Sequence, residues 1–181
     1  MGVVDWLKQI LSGISQTVSP FPTGTGPARL LILRHAEKTG DKRDRGLSEA
    51  GRARAEKLAA YIPKTFGAPD FLIAASSGKK SDRPYDTLVP LAKALGLEIW
   101  ADLDDEEVDD MVEALAETPE WRGKFGVISW RHSDLSRLIA ALGAPYGTYP
   151  DPWDPSRFDL LIDMTFSSAG PPKVRQIDPP F

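Results

Sequence analysis

Two rhythms of apolar residues alternate along most of this chain. From residue 28 onward, short aliphatic runs are separated by segments whose apolar positions recur every three to four residues. "ARLLILRH" (28–35) reads as a strand buried on both faces. Residues 47–62 read as a helix, with Ser48 at its N-cap and Ala55, Leu58, Ala59 and Ile62 along one face. "DFLIAAS" (70–76) is a second strand. A second helix follows over 82–96, capped by Asp82, with Pro84 in its first turn and Gly96 closing it. "LEIW" (97–100) makes a short strand, and 104–117 a third helix whose acidic start suits the helix dipole. "FGVISW" (125–130) is another strand. Residues 133–143 form a fourth helix with Leu135, Leu138, Ile139 and Leu142 inward, and 157–166 a last strand. The remainder, 167–181, reads as an irregular tail.

Ahead of this alternation, Val3, Trp6, Leu7, Ile10, Leu11, Ile14 and Val18 fall at helical spacing, and "SPFPTGTGP" (19–27) then breaks the pattern with prolines and glycines. The expected organisation is an amphipathic helix and linker over 1–27, then one domain over 28–181. Strands alternating with helices imply crossover connections. The fold class expected is α/β, a three-layer α/β/α sandwich around a mostly parallel sheet.

Composition narrows the function classes. The 181 residues fit one domain, and a net charge of -4 disfavours a general nucleic-acid binder. The chain has no cysteine, which excludes disulfides, zinc–thiolate sites and a thiol nucleophile. No stretch approaches the ~20 apolar residues of a membrane span. No basic, then apolar, signal pattern opens the chain, so a cytoplasmic protein is expected. The N-terminal helix is the expected surface for self-association.

In open parallel sheets, ligands bind beyond the carboxyl ends of the strands. The first strand ends in Arg34-His35. The second is followed by Lys79, Lys80 and then Arg83 in the first turn of a helix. "FGVISW" is followed by Arg131-His132. Both histidines of the chain therefore stand at that edge, each behind an arginine. Arginine forks bind phosphate bidentately, and a neutral histidine can attack phosphorus. Cations around it would stabilise charge on the equatorial oxygens. Such chemistry needs no metal and no cofactor, and neither is expected.

At these residues the sequence resembles the histidine phosphatase superfamily, also called phosphoglycerate-mutase-like, over about residues 28–165. "LILRHAEK" resembles its signature strand, with Ala36 where glycine is usual. "LSEAGRARAEKLA" resembles the segment that follows it, "SDRPYDTLVPLAKALGL" the one carrying a second arginine, and "GVISWRHSDLSRLIAALG" the one carrying a second histidine. The resemblance implies a phosphoglycerate-mutase-like fold. It implies a metal-independent hydrolase of phosphoric monoesters, of the histidine acid phosphatase type, or of phosphohistidine. His35 would form the phosphohistidine intermediate, with Arg34, Arg83 and His132 holding the phosphate; Arg131, like Lys79 and Lys80, is an outer substrate-contact candidate by position, without a firm family counterpart. The family's leaving-group acid would correspond to Asp105 or the adjacent Glu106, residues that also suit a helix start. The expected partner is a small phosphorylated substrate or a phosphoprotein. A catalytically weak phosphate-binding module of the same fold is the alternative. A mutase ranks lower, because the span between Arg83 and His132 leaves little material for a lid.

Overall fold

The structure, a computed structural model, describes residues 19–21, 24–41, 43–77, 81–168 and 170–181. The expected helix over 3–18, and Lys79 and Lys80, lie outside the described residues.

Six strands form one sheet in the order β3-β2-β4-β1-β5-β6. They are β1 (Arg29–Arg34), β2 (Phe71–Ala74), β3 (Ile99–Trp100), β4 (Phe125–Trp130), β5 (Leu161–Thr165) and β6 (Lys173–Ile177). The first four run parallel. β5 is antiparallel to β1, and β6 antiparallel to β5. The α-helices among the described residues are α1 (Glu49–Phe66), α2 (Arg83–Leu95), α3 (Val108–Glu117) and α4 (His132–Ala141).

Successive β1 side chains point to opposite faces, as strand geometry requires. Leu31 and Leu33 pack with Leu58, Ile62, Leu88 and Leu91 of α1 and α2. Leu30 and Ile32 pack with Met111, Leu115, Leu135 and Leu138 of α3 and α4. The sheet thus lies between two helical layers, as the alternating pattern implied. No helix among the described residues is long and apolar enough to cross a membrane.

Four details depart from the sequence expectations. Helix α1 runs on through Pro63 to Gly67, whose φ of 91° suits glycine. Asp82 occupies the N-cap position of α2 but makes no capping bond; its carboxylate pairs with Arg45, and Ser81 Oγ accepts from the Arg83 amide instead. Helix α3 starts at Val108, not 104. Asp104 to Glu107 form a turn in which the Glu107 amide donates to the Asp104 carbonyl. Finally, the expected tail contains β6, an edge strand bound to β5. Arg175 of β6 and Arg29 of β1 both bond the buried Asp163 carboxylate between them.

Part of the expected linker also belongs to the packed body. Phe21 is buried, with its ring 4.9 Å from that of Phe166. The Gly123 amide donates to the Gly26 carbonyl.

Candidate active site

The carboxyl ends of β1 and β4 are neighbours in register, Arg34 opposite Trp130. The chain therefore brings Arg34-His35 and Arg131-His132 to one edge, and the His35 amide donates to the Trp130 carbonyl at 3.0 Å. The segment after His35 is fixed from two sides. The Ala36 amide donates to Thr87 Oγ1 at 2.9 Å, and Thr87 Oγ1 donates to the Arg83 carbonyl at 2.7 Å. On the other side, the Glu37 carbonyl accepts from the Ser48 amide at the start of α1. Gly51 of that helix lies so close that a Cβ there would stand 2.2 Å from the Glu37 oxygen.

His35 is 4% exposed. Its Nδ1 is 2.7 Å from the Ala36 carbonyl. A carbonyl can only accept, so Nδ1 carries the proton and Nε2 keeps its lone pair. Burial pushes the imidazole pKa down to about 3. The Ala36 bond opposes that shift, and Arg34, Arg83 and His132 add to it. The ring is neutral at physiological pH.

Arg34 is 1% exposed. Its Nη1 donates to the carbonyls of Pro155 and Arg157, and its guanidinium carbon lies 3.7 Å from the Phe158 ring centroid. Burial lowers its pKa to about 10, against the favourable charges of Asp154 and Glu37. It remains a cation at neutral pH. Arg83, the first residue of α2, donates from Nε to the Gly46 carbonyl at 2.9 Å and from Nη2 to that of Asp44. His132 opens α4. Its pKa is lowered, first by burial and then by Arg34 and Lys38, with Asp105 and Asp134 opposing. Arg34 Nε and His132 Nδ1 are both buried without a hydrogen-bond partner. Buried polar atoms are ordinarily satisfied, and an oxyanion would satisfy two such nitrogens.

Two further expected site residues are paired with each other. Arg131 and Asp105 are bound to each other, Nη1 to Oδ1 at 2.6 Å, with side chains 8% and 1% exposed. Asp105 also accepts from Ser133 Oγ, and Arg131 Nη2 donates to the carbonyls of Ser76 and Ser81, each at 2.8 Å. As an outer substrate contact and a proton donor, the two were expected in separate tasks; here they join the loop after β2 to the loop before α3. Arg131 Nε, like Arg34 Nε, is buried without a partner. Glu106 offers its carbonyl to Arg137 at 3.2 Å.

Sequence reasoning missed Thr87, Lys38 and Phe158. Thr87 had a legible signal, since it stands four positions after Arg83 on the same helix face. Phe158 had none, because it meets Arg34 only through the folding of a long loop. Beside His132 a cavity of about 340 Å³ opens, bordered by Ser133, Arg137, Asp151 and Trp153.

No family model and no curated protein matches this sequence. Solved structures do. A protein histidine phosphatase SixA complexed with tungstate superposes with a TM-score of 0.57 at 16% identity, over 83% of this chain and 96% of that one. A mycobacterial glucosyl-3-phosphoglycerate phosphatase with inorganic phosphate gives 0.51 at 20% identity, over 82% and 95%. A phosphoglycerate mutase from Plasmodium falciparum gives 0.55 at 11% identity, over 82% and 89%. The fold is therefore a phosphoglycerate-mutase-like α/β fold.

Proposed function

We propose that this protein is a metal-independent phosphatase that works through a phosphohistidine on His35. The observation that carries the reading is the Nδ1 bond to the Ala36 carbonyl. It leaves a neutral imidazole with its Nε2 lone pair available, amid Arg34, Arg83 and His132. The unpartnered Arg34 Nε and His132 Nδ1 support a role for both in holding the phosphoryl oxygens.

In the first step Nε2 forms a bond to phosphorus while the bond to the leaving group breaks, and the leaving group takes the electron pair. Arg34, Arg83 and His132 stabilise the charge on the equatorial oxygens. Water then attacks phosphorus, the P–N bond returns its electrons to Nε2, and inorganic phosphate departs with the water's proton passing to solvent.

The state of the acids favours one substrate class. Asp105 is held by Arg131 and Ser133. Asp154, whose charge acts on Arg34, is held below the usual carboxylate range by bonds from Ser156, so it is ionised at neutral pH. A leaving group that departs without an enzymic proton suits such a site: the imidazole of phosphohistidine, already protonated by solvent, or a phosphoanhydride or acidic alcohol. The cavity beside His132 gives room for the rest of the substrate.

The test is hydrolysis of an aryl phosphate, a phosphohistidine peptide and simple alkyl phosphates, with EDTA present, by wild type and His35→Ala. Turnover of the first two, abolished in the variant, is expected. Undiminished turnover in His35→Ala overturns the mechanism. Wild type that binds phosphate but turns over nothing would make the protein a phosphate-binding module, a reading that the commitment of Asp105 to Arg131 also favours.

A further inference from the structure

We propose that Phe158 is a positioning residue for the site: one ring fixes the Arg34 guanidinium for phosphate and covers the His35 imidazole against water. The inference rests on the reading of Arg34 and His35 as the phosphoryl-handling pair, and it adds a residue to that reading.

The geometry is specific. The Arg34 guanidinium carbon is 3.7 Å from the Phe158 ring centroid, a stacking distance for a cation over a π face. The Nη1 atom of Arg34 is anchored on the carbonyls of Pro155 and Arg157, in the same loop as Phe158. Loop and ring together fix both the tilt and the roll of the guanidinium plane. The edge that carries Nε is left with a buried N–H and no partner, and this is the edge that could bind an oxyanion side-on. The same ring stands 6.1 Å, centroid to centroid, from the His35 imidazole at an interplanar angle of 57°.

The ring has firm support. Trp153 Nε1 donates to the Arg157 carbonyl at 3.2 Å, and Ser156 bonds the Asp154 carboxylate through its amide and its hydroxyl. Leu160, just beyond, is buried in the core. Truncating Phe158 therefore removes a ring while leaving the path of the loop anchored. The titratable groups that face His35 are Arg34 on β1, Arg83 on α2 and His132 on α4, and its ring bonds the Ala36 carbonyl. All of them survive the truncation. The change at His35 is then one of water access, and its direction is fixed: less burial favours the imidazolium and raises the pKa.

The experiment reads ring titration and phosphate affinity, neither of which needs turnover. The chain has only two histidines, so His132→Gln assigns the His35 ring protons in NMR spectra. In wild type, the His35 signal is expected to stay flat from about pH 5 to 8. In Phe158→Ala its midpoint moves up toward that window. Inorganic phosphate, measured by calorimetry, binds the variant about five- to twentyfold more weakly. Phe158→Leu keeps apolar cover without a π face. It should hold the flat titration and lose phosphate affinity alone, an outcome that general loosening of the fold would not give. Unchanged titration and affinity in Phe158→Ala overturn the proposal. So does a Leu variant that binds phosphate as wild type does. Failure of the parent reading is separate, since it appears as turnover in His35→Ala.

Discussion

Replacing Asp105 by Asn separates a framework role from an acid–base role. The substitution keeps the shape of the side chain and removes its charge. It leaves Arg131, whose side chain is 8% exposed, as a buried cation that has lost its ionic partner at 2.6 Å. Breaking a buried pair from one side costs about 3–5 kcal/mol. The low end applies, because Arg131 keeps its bonds to the Ser76 and Ser81 carbonyls and the amide oxygen can still accept one bond. A loss of about 3 kcal/mol is a large share of a domain stability of about 5–15 kcal/mol. With a urea m-value of about 2 kcal/mol/M it lowers the midpoint by about 1.5 M. Tryptophan fluorescence during urea unfolding would report it, since buried Trp130 donates its indole N–H to the Asp105 carbonyl. Arg131→Met should be at least as costly, because it also orphans two carbonyls at about 1–3 kcal/mol each. A midpoint within about 0.3 M of wild type, together with lost turnover of alkyl phosphates, would refute the reasoning and restore Asp105 as the proton donor.

Two further outcomes follow from the packing and the ion pairs. Gly51→Ala puts a methyl group 2.2 Å from the Glu37 carbonyl oxygen, which has nowhere flexible to go. A stability loss of about 1–3 kcal/mol in thermal melts is expected, with a larger fall in turnover, because the displaced segment carries Ala36 and His35. Asp163 titrates below the usual carboxylate range: burial alone would raise its pKa, but hydrogen bonds and charge from Arg29 and Arg175 outweigh it. A depressed folded-state pKa gives stability that is present above the unfolded value near ~4 and fades as pH falls through the folded one. Asp163→Asn should therefore flatten the acid limb of a stability–pH curve measured in urea; an unchanged limb would remove Asp163 from that role.

The parts of the fold that could be read from the sequence were those with a strong local period. "RLLILR" and "FGVISW" sit in β1 and β4, because runs of aliphatic residues with no turn former have only a buried strand to occupy. Ser48 and Gly96 marked helix ends correctly because a cap is a contact within a few residues. What stayed hidden depended on partners far along the chain. The acidic run 104–107 suited a helix start equally well, and the Arg131 and Ser133 partners that hold Asp105 lie far along the chain. "KVRQI" has too few apolar residues to declare a strand; it becomes one by pairing with β5 and placing Arg175 on Asp163. At the site, the strand-end arginines and histidines were visible in order, but the Phe158 loop that holds Arg34 was not.

The gathering of cations at this edge has two consequences that come from one field. Protonating His35 would add a positive charge in a poorly hydrated place already next to Arg34, Arg83 and His132. The imidazole accordingly stays neutral, as the proposed mechanism requires. The same cations are themselves incompletely matched: Arg34 is buried, with carbonyls and an aromatic face as its neighbours and its Nε unpartnered. Under the proposed function, a phosphoryl dianion would complete the hydrogen bonds and lower the field at once. On that proposal, binding the substrate and keeping the nucleophile unprotonated are one electrostatic arrangement. Removing the Arg83 charge would weaken the first and relax the second together, in a way that loss of a simple binding contact would not.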